Sequence, residues 1–166
     1  MATIKLWGSL IFLGVLVSCK QHREQLPVKD NGIDTIEPTI TQIKKELESK
    51  GFQIFDYIDE KTKDTVLMQQ YFIAFLKTGP KRDQTEREVD SLQKLHLDHL
   101  GRMYELGYAD ISGPFGDEGE IRGITIYNVP TLHMADSLAH MDPMVSAGRL
   151  VIEMHPWWAA KGFYLR

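Results

Sequence analysis

Three residues of this chain combine a reactive side chain with a setting that chemistry could use. His96 and His99 stand three apart in "LHLDHL", and Asp142 directly precedes Pro143 in "HMDPMVSAG". An imidazole titrates near pH 6.5 (roughly), so a histidine at the edge of a cleft can take up a proton and return it near neutrality. A neighbouring carboxylate would fix its tautomer and stabilise the imidazolium. Each residue also has a plain structural reading. A lone histidine on an apolar helical face is most often a core residue with a satisfied hydrogen bond. Aspartate is a favoured helix N-cap and proline a favoured first helical residue, so Asp142-Pro143 reads as a helix start. The roles are compatible, because a carboxylate has two oxygens to give. His96, His99 and Asp142 also have the composition of a two-histidine, one-carboxylate metal set. The stronger metal pattern "HExxH" is missing, and no metal is expected here.

The elements that must position these residues follow from periodicity. "TEREVDSLQKLHLDHLGRMYELG" carries an apolar stripe through Val89, Leu92, His96, His99, Met103 and Leu106, in steps of three and four. Thr85 and Glu88 fit a capping box, and Gly107 closes the helix. Both histidines therefore lie on its inner face. "TLHMADSLAHMDPMVSAG" is helical with a break before Pro143. "YFIAFLK", "YADISGPF", "IRGITIYNV" and "RLVIEMHPWW" read as strands, and "GDEGE" as the turn between the middle two. Upstream, "PTITQIKKELESKG" gives a short amphipathic helix, and "FQIFDYID" and "TVLMQQYFIAFLK" flank a polar turn as a hairpin. From the YFIAFLK strand onward the order is β-α-β-β-α-β. That order fits an α+β, ferredoxin-like split β-α-β fold, an antiparallel sheet with two helices on one face.

The first twenty residues read as a targeting segment. Lys5 precedes the apolar run "LWGSLIFLGVLV", which is of signal-peptide length and short for a bilayer span. The run ends in "LVSC", which resembles a bacterial lipobox. The chain's one cysteine, Cys19, stands where such a motif is lipidated. The expected organisation is a signal peptide over 1–18, then Cys19 and a polar tether over 19–36. A helix and hairpin extension over 37–68 and a main domain over 69–166 complete it. Anchoring at Cys19 implies a membrane-tethered protein of the cell envelope with no free thiol for catalysis. A net charge of −4 and no basic stripe with interleaved aromatics exclude a non-specific nucleic-acid binder.

The second half, over about residues 70–162, resembles the YCII-related (YciI-like) family of small dimeric ferredoxin-like proteins. The resemblance is carried by "LQKLHL", which places His96 eleven residues before Gly107, by "SGPF", by "RGITIYNV", by "MDPMVSAGRL" and by "HPWWAAKG". It implies a dimeric α/β-barrel arrangement, a homodimer, and a histidine–aspartate site that falls on His96 and Asp142. It requires neither metal nor cofactor.

Around that pair, Gly113 and Pro114 shape a turn whose backbone is placed to line a pocket mouth, and His99 and Tyr71 are further pocket residues. Arg122 has two readings, an anionic substrate or Glu120, and the surface pair with Glu120 is the commoner outcome. Lys81 and Arg82 sit in a loop suited to guarding an anion pocket. Trp157 and Trp158 read as packing residues. A dyad without nucleophile, metal or glycine-rich cofactor loop suits proton-transfer chemistry, isomerisation or elimination, on a small organic molecule. The rival is a membrane-tethered module that binds a small molecule or a protein without catalysis.

Overall fold

The computed structural model describes residues 38–163 and Leu165, which belong to one compact unit, Glu37–Arg166. The signal segment, Cys19 and the tether lie outside the described residues. The elements run α1 (Ile40–Ser49), β1 (Ile54–Ile58), β2 (Thr65–Thr78), α2 (Glu86–Glu105), β3 (Ala109–Pro114), β4 (Ile121–Tyr127), α3 (Leu132–His140), α4 (Pro143–Ser146) and β5 (Leu150–Ala160). The fold is α+β with a fully antiparallel sheet, as the alternation of strand and helix patterns indicates. Among the described residues no helix is long and apolar enough to cross a membrane.

Strand β2 organises the sheet. Along one edge it pairs with β5, from Met68↔Ala160 to Thr78↔Leu150. Its other edge is divided: β1 takes Thr65–Gln69 and β4 takes Phe72–Lys77, with a register shift between Leu76 and Lys77. Strand β3 continues the sheet beyond β4. The expected extension and the expected main domain therefore share one strand, and the sequence boundary at residue 68 falls inside it.

Alternation along β2 separates two faces. Phe72, Ala74 and Leu76 are buried in a core with Met103 of α2, Tyr127 of β4, Ala135 and Ala139 of α3, Met144 of α4 and Leu150 of β5. Leu67, Gln69, Tyr71, Ile73 and Phe75 point the other way. Helix α1 belongs to that second side. Lys44 reaches Asp56 at 2.5 Å, and Asp56 pairs in register with Leu67, which is buried like Leu47 of α1. Each tryptophan of β5 packs one side against an aromatic ring: Trp157 lies 6.2 Å from Tyr71 and Trp158 5.0 Å from Phe55, ring centre to ring centre.

Helix α2 starts where its capping box says. The Thr85 hydroxyl accepts from the Glu88 amide, and the Glu88 carboxylate accepts from the Thr85 amide at 2.7 Å. Such a cap contributes about 1 kcal/mol. Gly107, at φ 71, adopts the left-handed backbone that ends the helix. The stripe departs from expectation at one place: Leu106 is 56% exposed, because it is the C-cap residue and the chain is already turning away there.

Candidate active site

The inner face of α2 buries His96, His99 and Met103, one above the other. Opposite them, α3 ends at His140 and the chain restarts as α4 at Pro143, with Asp142 as the N-cap between. Proline at the first helical position loses no hydrogen bond there, which lets the break sit directly over the α2 wall. Asp142 uses both oxygens. Oδ1 accepts from the Met144 amide at 2.8 Å, and Oδ2 lies 2.5 Å from Nδ1 of His96. The residue is 2% exposed, so the pair is shielded from competing water. The helix start and the imidazole partner are thus one residue in two roles.

The consequence for His96 is a fixed tautomer. With Nδ1–H donated to the carboxylate, Nε2 carries the free lone pair. His96 lines a cleft of about 580 Å³, and Nε2 has no hydrogen-bond partner among the described residues. Leu76, Leu97, Leu100, Ile124, Met144 and Leu150 give that cleft an apolar wall. An imidazole whose one nitrogen is held by a buried carboxylate and whose other faces a cleft is the arrangement of a general base that becomes a general acid.

His99 is placed differently. It is 3% exposed and does not line the cleft, and neither ring nitrogen makes a well-formed hydrogen bond among the described residues, although the Leu138 backbone lies close enough to favour its protonated form. Burial pushes its pKa below the usual histidine value, against the opposite pull of the Asp142 carboxylate. Among the described residues no three ligating side chains converge as a metal site. Burial, with Asp142 nearby, also raises the Tyr127 phenol well above the ordinary tyrosine value, so that hydroxyl stays protonated.

Gly113, Pro114 and Arg122 line the cleft together with His96. Tyr71 does not. The two-residue period of β2 puts it on the opposite face, against Trp157 and 6.0 Å from the Lys161 ammonium. There burial, helped by Asp110, pushes its phenol up to about 12. The expected surface pair of Arg122 with Glu120 is absent too. Glu120 is taken by Lys77 at 3.0 Å, and Arg122 donates to the Gly119 carbonyl at 3.3 Å. Of the two loop cations, Arg82 lines the cleft, whereas Lys81 packs beneath Gly148.

Among the polar cleft residues that escaped the sequence reading are Gln93 and Arg149. Gln93 lies one helical turn before His96, and that spacing was a usable signal. Arg149 follows Gly148 at the start of β5, with no signal in one dimension. Its position depends on a close approach of two loops. The Gly79 amide donates to the Arg149 carbonyl at 2.8 Å, and a Cβ on Gly79 would meet the Gly148 carbonyl oxygen and lie 2.7 Å from the Arg149 carbonyl carbon. Gly148 itself has φ 71. Glycine at 79 thereby lets the Arg82 loop dock on the turn that carries Arg149.

No family model and no curated protein matches the chain. Among solved structures, it is similar to the 5-chloro-2-hydroxyhydroquinone dehydrochlorinase TftG of Burkholderia phenoliruptrix AC1100, determined in complex with 2,5-dihydroxybenzoquinone. The likeness is at 17% identity and a TM-score of 0.41, covering 52% of this chain and 92% of that one.

Proposed function

We propose that this chain is a histidine–aspartate acid–base catalyst acting on a small organic molecule by proton transfer. The observation that carries the reading is the 2.5 Å contact of His96 Nδ1 with Asp142 Oδ2 behind a cleft lined by His96. Nε2 takes a proton from a carbon next to a carbonyl, and the bond electrons move into the enolate. Where a further double bond extends the enolate to a dienolate, the imidazolium returns the proton to its far carbon, which is isomerisation. Alternatively the enolate expels a leaving group on the neighbouring carbon, which is elimination, and the proton passes to solvent. Such a base is worth about 10²–10⁴ in rate.

The wider reading is a YCII-like domain of ferredoxin-like βαββαβ layout, supported by the element order and by the strand order β5-β2-β4-β3. Homodimerisation through the sheet face turned away from α2 is supported by Val151 and Trp157, which are 39% and 41% exposed there. Lipid anchoring at Cys19, and with it a place in the cell envelope facing the periplasm or exterior, is supported by "LVSC".

The test is solvent deuterium incorporation into a panel of cyclic ketones, enol acids and lactones, followed by NMR. Exchange should appear in at least one member and fall by about 10²-fold or more in His96→Ala with the fold intact. Equal exchange in that variant refutes the reading. Saturable binding of a panel member without exchange would favour the non-catalytic binding module instead.

A further inference from the structure

The wall of the cleft has a charge pattern that proton transfer alone does not require. Three of its sixteen lining residues are Arg82, Arg122 and Arg149, and none is an aspartate or glutamate. The chain as a whole runs the other way, with 23 acidic against 19 basic side chains. A wall drawn evenly from that composition would mix the signs. The three guanidiniums also come from separate places, the β2–α2 loop, the start of β4 and the turn into β5. Neither neighbours on one helix nor one basic segment explains their meeting.

Each remains available to a ligand. None of the three forms an ion pair among the described residues. Arg122 has the Gly119 carbonyl, and Arg149 has the Gln84 side-chain oxygen at 3.1 Å. These neutral acceptors orient the guanidinium without neutralising it. Gln84 in turn donates toward the Ala147 carbonyl at 3.4 Å, and the Gly79–Arg149 contact joins the same two loops. The cationic rim is therefore built, at least at Arg149, rather than left to free surface side chains.

We infer that the cleft selects an organic acid: a small ring or unsaturated chain bearing one or more carboxylates, its apolar body against Leu97, Leu100 and Ile124 and its charge on Arg82, Arg122 and Arg149. Guanidinium donors in a fork match a carboxylate two bonds at a time, and an apolar wall strengthens each of them. The inference rests on the cleft being the reaction site, but it concerns recognition, and recognition is measurable without turnover. A phosphate ester offers the same oxyanion chemistry, so a phosphate arm belongs in the test.

The full-length chain in detergent is titrated with benzoate, phthalate, phenyl phosphate and the neutral isostere benzamide, followed by NMR or calorimetry. Fragments of this size bind in roughly the millimolar range. Benzoate should bind at least about tenfold more tightly than benzamide, phthalate more tightly than benzoate, and added salt should weaken both. Phenyl phosphate binding better than either carboxylate, benzamide matching benzoate, or no saturable binding of the acids up to about 50 mM each overturns the inference. The variant R82Q/R122Q/R149Q should lose the preference for acids.

A second measurement does not depend on that variant folding. Phthalate should slow phenylglyoxal modification of Arg82, Arg122 and Arg149 and leave the exposed Arg87 and Arg102 of α2 unprotected. Equal rates at all five overturn it. Acid binding without any proton exchange keeps the inference and removes the catalytic reading. Exchange on a neutral ketone without acid binding does the reverse.

Discussion

The inner wall of α2 puts the same side chain in two opposite circumstances one turn apart. At the cleft end, His96 has a buried carboxylate on one nitrogen and open space before the other. At the core end, His99 has no well-formed hydrogen bond on either nitrogen among the described residues and does not line the cleft. Both are buried and both lie on the same apolar stripe. Burial alone therefore does not make a site. A partner that fixes one nitrogen, together with space before the other, turns a core position into a candidate base, and Asp142 supplies that difference.

The comparison breaks most severely at Asp142. Asp142→Ala removes the α4 cap, worth about 1 kcal/mol, and strands a buried imidazole at a further ~1–3 kcal/mol. Urea unfolding should register the sum. Asp142→Asn keeps an oxygen for the Met144 amide, so it should cost less stability than the alanine variant while lowering exchange about as strongly as His96→Ala. If the asparagine variant keeps full exchange, Asp142 is a cap only.

A smaller effect sharpens the His99 side. Its folded pKa is depressed, so below the unfolded value of about 6.5 the unfolded chain binds a proton that the folded chain refuses. Its contribution is present above that pH and is lost as pH falls through 6.5 (roughly) toward the folded value. His99→Leu should flatten the stability curve in that window and change stability at pH 8 by no more than about 1 kcal/mol, because no well-formed side-chain hydrogen bond is lost. An unchanged slope between pH 7 and 5 would mean His99 already titrates as it does in the unfolded chain.

The smallest change acts on both histidines alike. Thr85→Ala removes half of the α2 capping box and should cost about 1 kcal/mol at every pH. It should leave the pH slope and any exchange activity as they were, which chemical denaturation at three pH values would show.

Much of this was legible in one dimension. Thr85, Glu88 and Gly107 marked the ends of α2, its three-four spacing put both histidines inside, and Asp142-Pro143 marked the restart of the chain. What periodicity could not give was facing. Strand β2 has apolar residues on both sides, Phe72, Ala74 and Leu76 against Leu67, Ile73 and Phe75, so its alternation gives two faces without saying which meets the cleft. Tyr71 was assigned to the wrong one for that reason. The arginines were missed as a group because their meeting is made by loop docking. Gly79 against Gly148 and Arg149 is a contact between segments about seventy residues apart, and no local pattern encodes it.

Strand β2 also bears on how the chain comes apart. Its first half is hydrogen-bonded to β1 and its second half to β4, while β5 runs along nearly all of it. A cut at residue 68 would not release a spare appendage. It would sever the rod on which both halves hang, eight residues before β2 reaches the cleft at Leu76. Amide exchange should accordingly find β1, β2 and β5 opening together as one cooperative unit, with the N-terminal hairpin inseparable from the site it never touches.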